Sequence, residues 1–189
     1  MPSMKGAAED DSRGLSNTFV NGVAKKVAPD LFDCVLSCDI LVSSYKTLFL
    51  KSTCFIVNLA PSTQRLGHFC LIYINLEDGK IEIFDSLSIC FQDPNVVGYL
   101  QKLKQNYPYF SFDYSPYPIQ HPIKSNFCSV FCLSYLSHIM KRRRSADLFG
   151  RRRRQRKTMD EFYLMFDEQD KFGRNDQISL RYLLDFILK

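Results

Sequence analysis

Four residues in this chain are of types that together hydrolyse acyl bonds: His68, Asp85, Gln120 and Cys128. Cys128 follows a proline-rich approach from Pro116 to Pro122 and opens an apolar pattern. In that pattern Phe131, Cys132, Tyr135, Leu136 and Ile139 repeat as one helical face. A cysteine in the first turn meets unpaired N–H groups and the positive end of the helix dipole, which favour a nucleophilic thiolate. The bland alternative is a small buried core residue. His68 is the natural base for such a thiol, and Asp85 the carboxylate that orients the imidazole. Gln120 supplies a side-chain amide that, with the Cys128 backbone N–H, can meet a developing oxyanion.

The elements that must position these residues follow from the pattern. His68 to Asn75 is continuously apolar after the histidine, as in a central strand covered on both faces. Leu76 to Gly79 turns, and Lys80 to Asp85 returns as the second strand of a hairpin. That register pairs Asn75 with Lys80 and Cys70 with Asp85, which brings Asp85 within side-chain reach of His68. Gln120 lies in the extended approach to Cys128. Thr53 to Leu59 and Tyr109 to Tyr114 read as further strands. Pro94 to Tyr107, Asp160 to Phe166 and Asp176 to Leu188 read as helices, with Asn175 or Asp176 as the last N-cap. A weak helix over Leu15 to Lys26 and another over Pro29 to Cys38 complete the expectation.

With 189 residues, 46% hydrophobic and 16 Phe, the chain has the length for one domain with a sizeable core. The expected division is a flexible N-terminal tail over 1–28 and a single domain over 29–189, carrying a basic insertion at 141–157. No run of 18 apolar residues exists, so no membrane partner is expected. The polar start, Met1 to Ser16, lacks the apolar core of a signal peptide. Seven cysteines then read as reduced thiols in a cytosolic or nuclear setting. Cys34/Cys38 and Cys128/Cys132 share a C-x3-C spacing, but each pair also fits one helical face, and no metal site is expected from them.

The net charge of +5 is unevenly spread. Lys141 to Lys157 holds ten Lys/Arg against one Asp, so the rest of the chain carries −4. The run comprises Lys141, Arg142, Arg143, Arg144, Arg151, Arg152, Arg153, Arg154, Arg156 and Lys157. It would bind phosphates of double-stranded DNA with little sequence preference, or serve as a nuclear import signal.

The segments Gly67-His68-Phe69, Phe84-Asp85-Ser86-Leu87, Gln120 and Phe127 to Cys132 resemble the motifs of the adenovirus-type cysteine proteases. Relatives occur in adenoviruses, related DNA viruses and Maverick/Polinton-type transposons. Phe32 to Leu41 also resembles an upstream motif of the transposon and viral members, so the similarity spans roughly residues 30–140. It implies an α+β, papain-like fold with reversed motif order (His, Asp, Gln, Cys) and a small central mixed or antiparallel sheet flanked by helices. It further implies an endopeptidase that cuts viral precursor proteins at glycine-containing sites, in the host nucleus or virion. The chemistry would need no cofactor, and DNA and an activating peptide would be stimulatory partners. Ubiquitin- or SUMO-like deconjugating peptidases share the residue order. A catalytically degenerate, DNA-binding or capsid-associated homologue is the non-enzymatic alternative. Three departures from the family pattern stand out: Phe69 replaces Trp, Ser129 replaces Gly, and the Gln120–Cys128 interval is about a residue longer.

Overall fold

The computed structural model describes residues 15–64, 67–123, 125–149, 158–168, 170 and 173–188. Arg151 to Lys157 of the basic run lie outside the described residues. A five-stranded mixed sheet organises the rest. Its strands are β1 (Phe32–Ser37), β2 (Thr53–Asn58), β3 (Phe69–Asn75), β4 (Lys80–Phe84) and β5 (Ser111–Tyr114), side by side in chain order. The inner pairs β2/β3 and β3/β4 are antiparallel, and the outer pairs β1/β2 and β4/β5 are parallel. The hairpin register is the one expected from the four-residue turn, with Asn75 opposite Lys80 and Leu71 opposite Phe84. Gly79 adopts φ 61 in that turn, a left-handed conformation open to glycine without strain.

Strand alternation divides the core into two layers. Cys54, Ile56, Phe69, Leu71, Tyr73 and Phe84 face one side, packed against α1 (Asn17–Val27), α4 (Cys128–Phe149), α5 (Thr158–Tyr163) and α6 (Arg174–Ile187). Phe55, Val57, Cys70, Ile72, Ile74, Ile81 and Ile83 face the other, packed against α2 (Cys38–Ser44) and α3 (Pro94–Asn106). The unbroken apolar runs of β2 and β3 thus follow from burial on both faces. The helix α3 starts where Asp93 accepts hydrogen bonds from Asn95 N and Val96 N, with Pro94 in its first turn.

Two local expectations give way to long-range packing, and a third holds. The helix expected over Pro29 to Cys38 is instead the strand β1, because Phe32 and Val35 to Ser37 pair with β2. Cys34 and Cys38 therefore share no helical face. The weak helix expected over Leu15 to Lys26 forms as Asn17–Val27, which buries Val20, Ala24 and Val27, with Ser16 as N-cap. Asn175 and Asp176 do not cap α6, whose N-cap is Gly173. Both side chains serve a different purpose, described below.

Candidate active site

β3 begins and β4 ends at the same edge of the sheet, so His68 and Asp85 sit side by side just beyond the strands. Their contact is direct: His68 Nε2 hydrogen-bonds Asp85 Oδ1. Asp85 is almost fully buried, and its carboxylate is surrounded by donors. Leu87 N donates to Oδ1 at 2.9 Å, and Ile89 N and Cys90 N each donate to Oδ2 at 2.7 Å. Burial works against the charged carboxylate, but the His68 interaction and the backbone donors outweigh it and hold Asp85 below its ordinary value. Ser115 fixes the aspartate backbone by accepting from Asp85 N at 2.7 Å.

The helix α4 starts at Cys128, as the apolar spacing predicts. Its first turn is tied over the start of β3, where Cys132 Sγ donates to Phe69 O at 3.5 Å. Cys128 thereby comes near enough to His68 to act on its charge. Asp85 occupies Nε2 of that ring, which leaves Nδ1 for the thiol. Burial disfavours the charged imidazole, but the hydrogen bonds and negative charge of Asp85 and Cys128 overcome it and raise His68 to about 9. His68 is therefore an imidazolium at neutral pH. Its contribution to stability is fully present below the ordinary value of 6.5 and is lost as pH rises through about 9. If the imidazolium is the acid for the leaving amine, kcat/KM falls along an alkaline limb with a midpoint near 9. A pH–rate profile checks this, and a midpoint at the ordinary histidine value would contradict it.

Gly67 sets the position of His68. A Cβ there would lie 2.1 Å from Asn58 Oδ1, 2.5 Å from Ala60 Cβ and 2.8 Å from Ala60 N. Asn58 cannot easily yield, since it is buried, accepts from Ala60 N and donates to Asn17 Oδ1. Gly67→Ala must therefore shift the backbone beside His68. A misplacement of about 1 Å at a reacting group costs on the order of 10²-fold in rate. We expect kcat to fall by about that factor and the melting temperature to fall with it, because the clash is with buried groups; kcat measured well below the melting transition separates lost geometry from lost folded protein.

Gln120 is buried with its amide fixed at both ends. Ser86 Oγ donates to Oε1 at 2.6 Å, and Nε2 donates to Ser125 O at 2.9 Å. The carboxamide has two N–H donors, so one remains beyond the Ser125 bond. The loop that carries Gln120 is braced from α6. Asn175 Nδ2 donates to Ile119 O at 2.9 Å, and Asp176 Oδ1 accepts from Ser125 Oγ at 2.8 Å. Sequence reading missed both as supports because the bonds span about fifty residues and leave no local pattern. The same holds for Ser86 and Ser115.

Ser129, where the resembling family has Gly, has no exposed surface, and its Oγ finds no partner among the described residues. The hydroxyl is thus packed inward rather than presented to a substrate. Leaving such a group unpaired costs about 1–3 kcal/mol. Ser129→Ala should raise the melting temperature by several degrees and leave the rate unchanged. A large fall in rate would show that the hydroxyl takes part in the reaction.

The basic run begins within α4. α4 continues to Phe149 and contains its first four members, all of them engaged. Arg142 pairs with Glu161, and Arg143 donates to Tyr73 Oη and Glu77. Lys141 lies 4.3 Å from the Tyr182 ring centre, and Arg144 lies 5.2 Å from that of Phe186. No three His, Cys, Asp or Glu side chains converge as metal ligands among the described residues, and all seven cysteines are free thiols. No helix among the described residues is long and apolar enough to cross a membrane.

No family model matches the chain, and no curated protein matches it. Among solved structures, an AvrA deletion variant with IP6 and CoA is 21% identical with a TM-score of 0.49, covering 67% of this chain and 49% of AvrA. The chain thus spans about half the length of AvrA. The C-terminal Ulp1 protease domain in complex with Smt3, the yeast orthologue of SUMO, is 15% identical with a TM-score of 0.45, covering 94% of this chain and 77% of that one. The SUMO protease Ulp1 with its catalytic cysteine oxidised to a sulfenic acid is 17% identical with a TM-score of 0.45, covering 94% and 80%. Likeness at this level fixes neither chemistry nor substrate.

Proposed function

We propose that this protein is a thiol endopeptidase in which Cys128 is the nucleophile, His68 the proton carrier, Asp85 its orienting group and Gln120 an oxyanion donor. The observation that carries this reading is that the His68 imidazole bonds the buried Asp85 carboxylate while Cys128, at the start of α4, lies near enough to act on its charge. Sγ of Cys128 attacks the scissile carbonyl carbon, forming a C–S bond and placing negative charge on the carbonyl oxygen. The remaining Gln120 Nε2–H and the Cys128 N–H meet that charge. Collapse breaks the C–N bond, and His68 gives its proton to the departing amine. Water then attacks the thioester, His68 takes the proton of that water, and the acid is released with the thiolate restored.

The substrate assigned to this chemistry is a viral or transposon precursor polypeptide cut at a glycine-containing site. Its support is the resemblance of the His68, Asp85 and Cys128 motifs to the adenovirus-type proteases. Binding of double-stranded DNA belongs to the same reading and rests on Arg151 to Lys157, because Lys141 to Arg144 are engaged within the fold. The test is hydrolysis of Gly-Gly peptides beside ubiquitin and SUMO fusions, with and without DNA. Cleavage of free peptides, absent in Cys128→Ala, is the expected result. Cleavage of the fusions alone would make the protein a deconjugating peptidase. Cleavage of neither would overturn the enzymatic reading.

A further inference from the structure

A cleft of about 600 Å³ is lined in part by Gln120. That volume lies within the roughly 300–1,000 Å³ typical of ligand clefts. Leu87 and Ile89, from the turn whose N–H groups hold Asp85, form part of its apolar wall with Pro118. Glu168, Asp170 and His121 are the charged or titratable side chains among the described residues of its lining. The Asp170 carboxylate also receives Arg174 N and Asn175 N, so its position is fixed by the start of α6.

Resting on the thiol endopeptidase reading, we propose that this cleft is a substrate pocket that selects an apolar side chain followed or preceded by a basic residue, close to the scissile bond. Three features lead there. The cleft shares Gln120 with the oxyanion position, so whatever fills it lies within a residue or two of the reacting carbonyl, at about 3.3–3.6 Å per extended residue. Its wall is apolar, which excludes a selection for charge alone. Its charged members among the described residues are mainly the carboxylates of Glu168 and Asp170, which oppose acidic substrates and favour Lys or Arg. The chain as a whole is basic, so this acidic site is a local feature rather than a surface-wide one.

The test uses the full chain carrying Cys128→Ala, which binds peptides without turning them over. A peptide library with a photo-crosslinking apolar residue is applied, and crosslinks are mapped by mass spectrometry. Selection of apolar residues next to Lys or Arg, with crosslinks to Leu87–Ile89 or Pro118–Pro122, is expected. Glu168→Lys should then lower affinity for the selected basic peptides by about two- to fivefold, the size of an exposed charge pair, and raise it for acidic ones. Leu87→Gln should weaken all selected peptides alike. Crosslinks elsewhere, absence of selection, or a preference untouched by Glu168→Lys would overturn the pocket. Hydrolysis of the selected peptides by the unsubstituted protein is scored separately. Selective binding without hydrolysis would refute the endopeptidase and leave a peptide-binding cleft, whereas hydrolysis without cleft-dependent selection would refute the pocket alone.

Discussion

Cys128→Ala and His68→Ala each lower peptide hydrolysis by at least about 10⁴-fold, and the double substitution lowers it no further, because the two groups act as one unit. The fold should survive both. Cys128 lies at the edge of the core with 8% of its surface exposed, and alanine keeps its place in the first turn of α4. After His68→Ala, the Asp85 carboxylate still accepts from Leu87, Ile89 and Cys90, so no bare charge is left in the interior. Circular dichroism and thermal melts separate lost chemistry from lost structure. Hydrolysis by Cys128→Ala at the original rate would remove the mechanism.

The second large effect is at Asp85. Asp85→Asn keeps the shape but offers one acceptor oxygen to a site built from four donors: His68 Nε2 and the three N–H groups of residues 87, 89 and 90. Some of those donors must then face an NH2 group, and each buried donor left unpaired costs about 1–3 kcal/mol. The His68 ring loses the partner that fixes its tautomer. The rate should fall by roughly 10²–10⁴-fold, with the upper figure matching loss of the orienting carboxylate in a catalytic triad. The alkaline limb should also move from near 9 towards the ordinary histidine value of 6.5. A purely structural aspartate would lower the melting temperature without moving that limb, so the two measurements together identify the role.

These residues show which parts of the fold a sequence carries openly. His68, Asp85 and Cys128 were legible because each sits at the end of an element with a strong local period. β3 and β4 are bounded by a short turn that fixes their register, and α4 announces itself by its apolar repeat. The helix start at Cys128 and the pairing of Asn75 with Lys80 follow from that alone. β1 was not legible, because Phe32 to Ser37 becomes a strand only by pairing in parallel with β2, across a loop and a helix. α1 was undervalued because only Val20, Ala24 and Val27 of its eleven residues are buried, a thin stripe on a polar helix. Asn175 and Asp176 look like caps in sequence, since their residue types favour helix starts. In the fold their side chains reach back to Ile119 and Ser125 and hold the loop that carries Gln120. The polar supports of the site are thus its least legible part, because a long-range hydrogen bond has no period.

The central claim is that His68 makes Cys128 the reactive thiol of this chain. Accessibility alone would favour Cys34, which is more exposed than Cys128. The Cys34 thiol is, however, pushed up by burial and by the charge of Asp33, which keeps it protonated. The direct measurement is intact-protein and peptide mass spectrometry after brief exposure to an electrophilic Gly-Gly peptide at neutral pH. A single adduct on Cys128, lost in His68→Ala, is the predicted result. An adduct on Cys34, adducts spread over the seven cysteines, or equal labelling of Cys128 with and without His68 would contradict it.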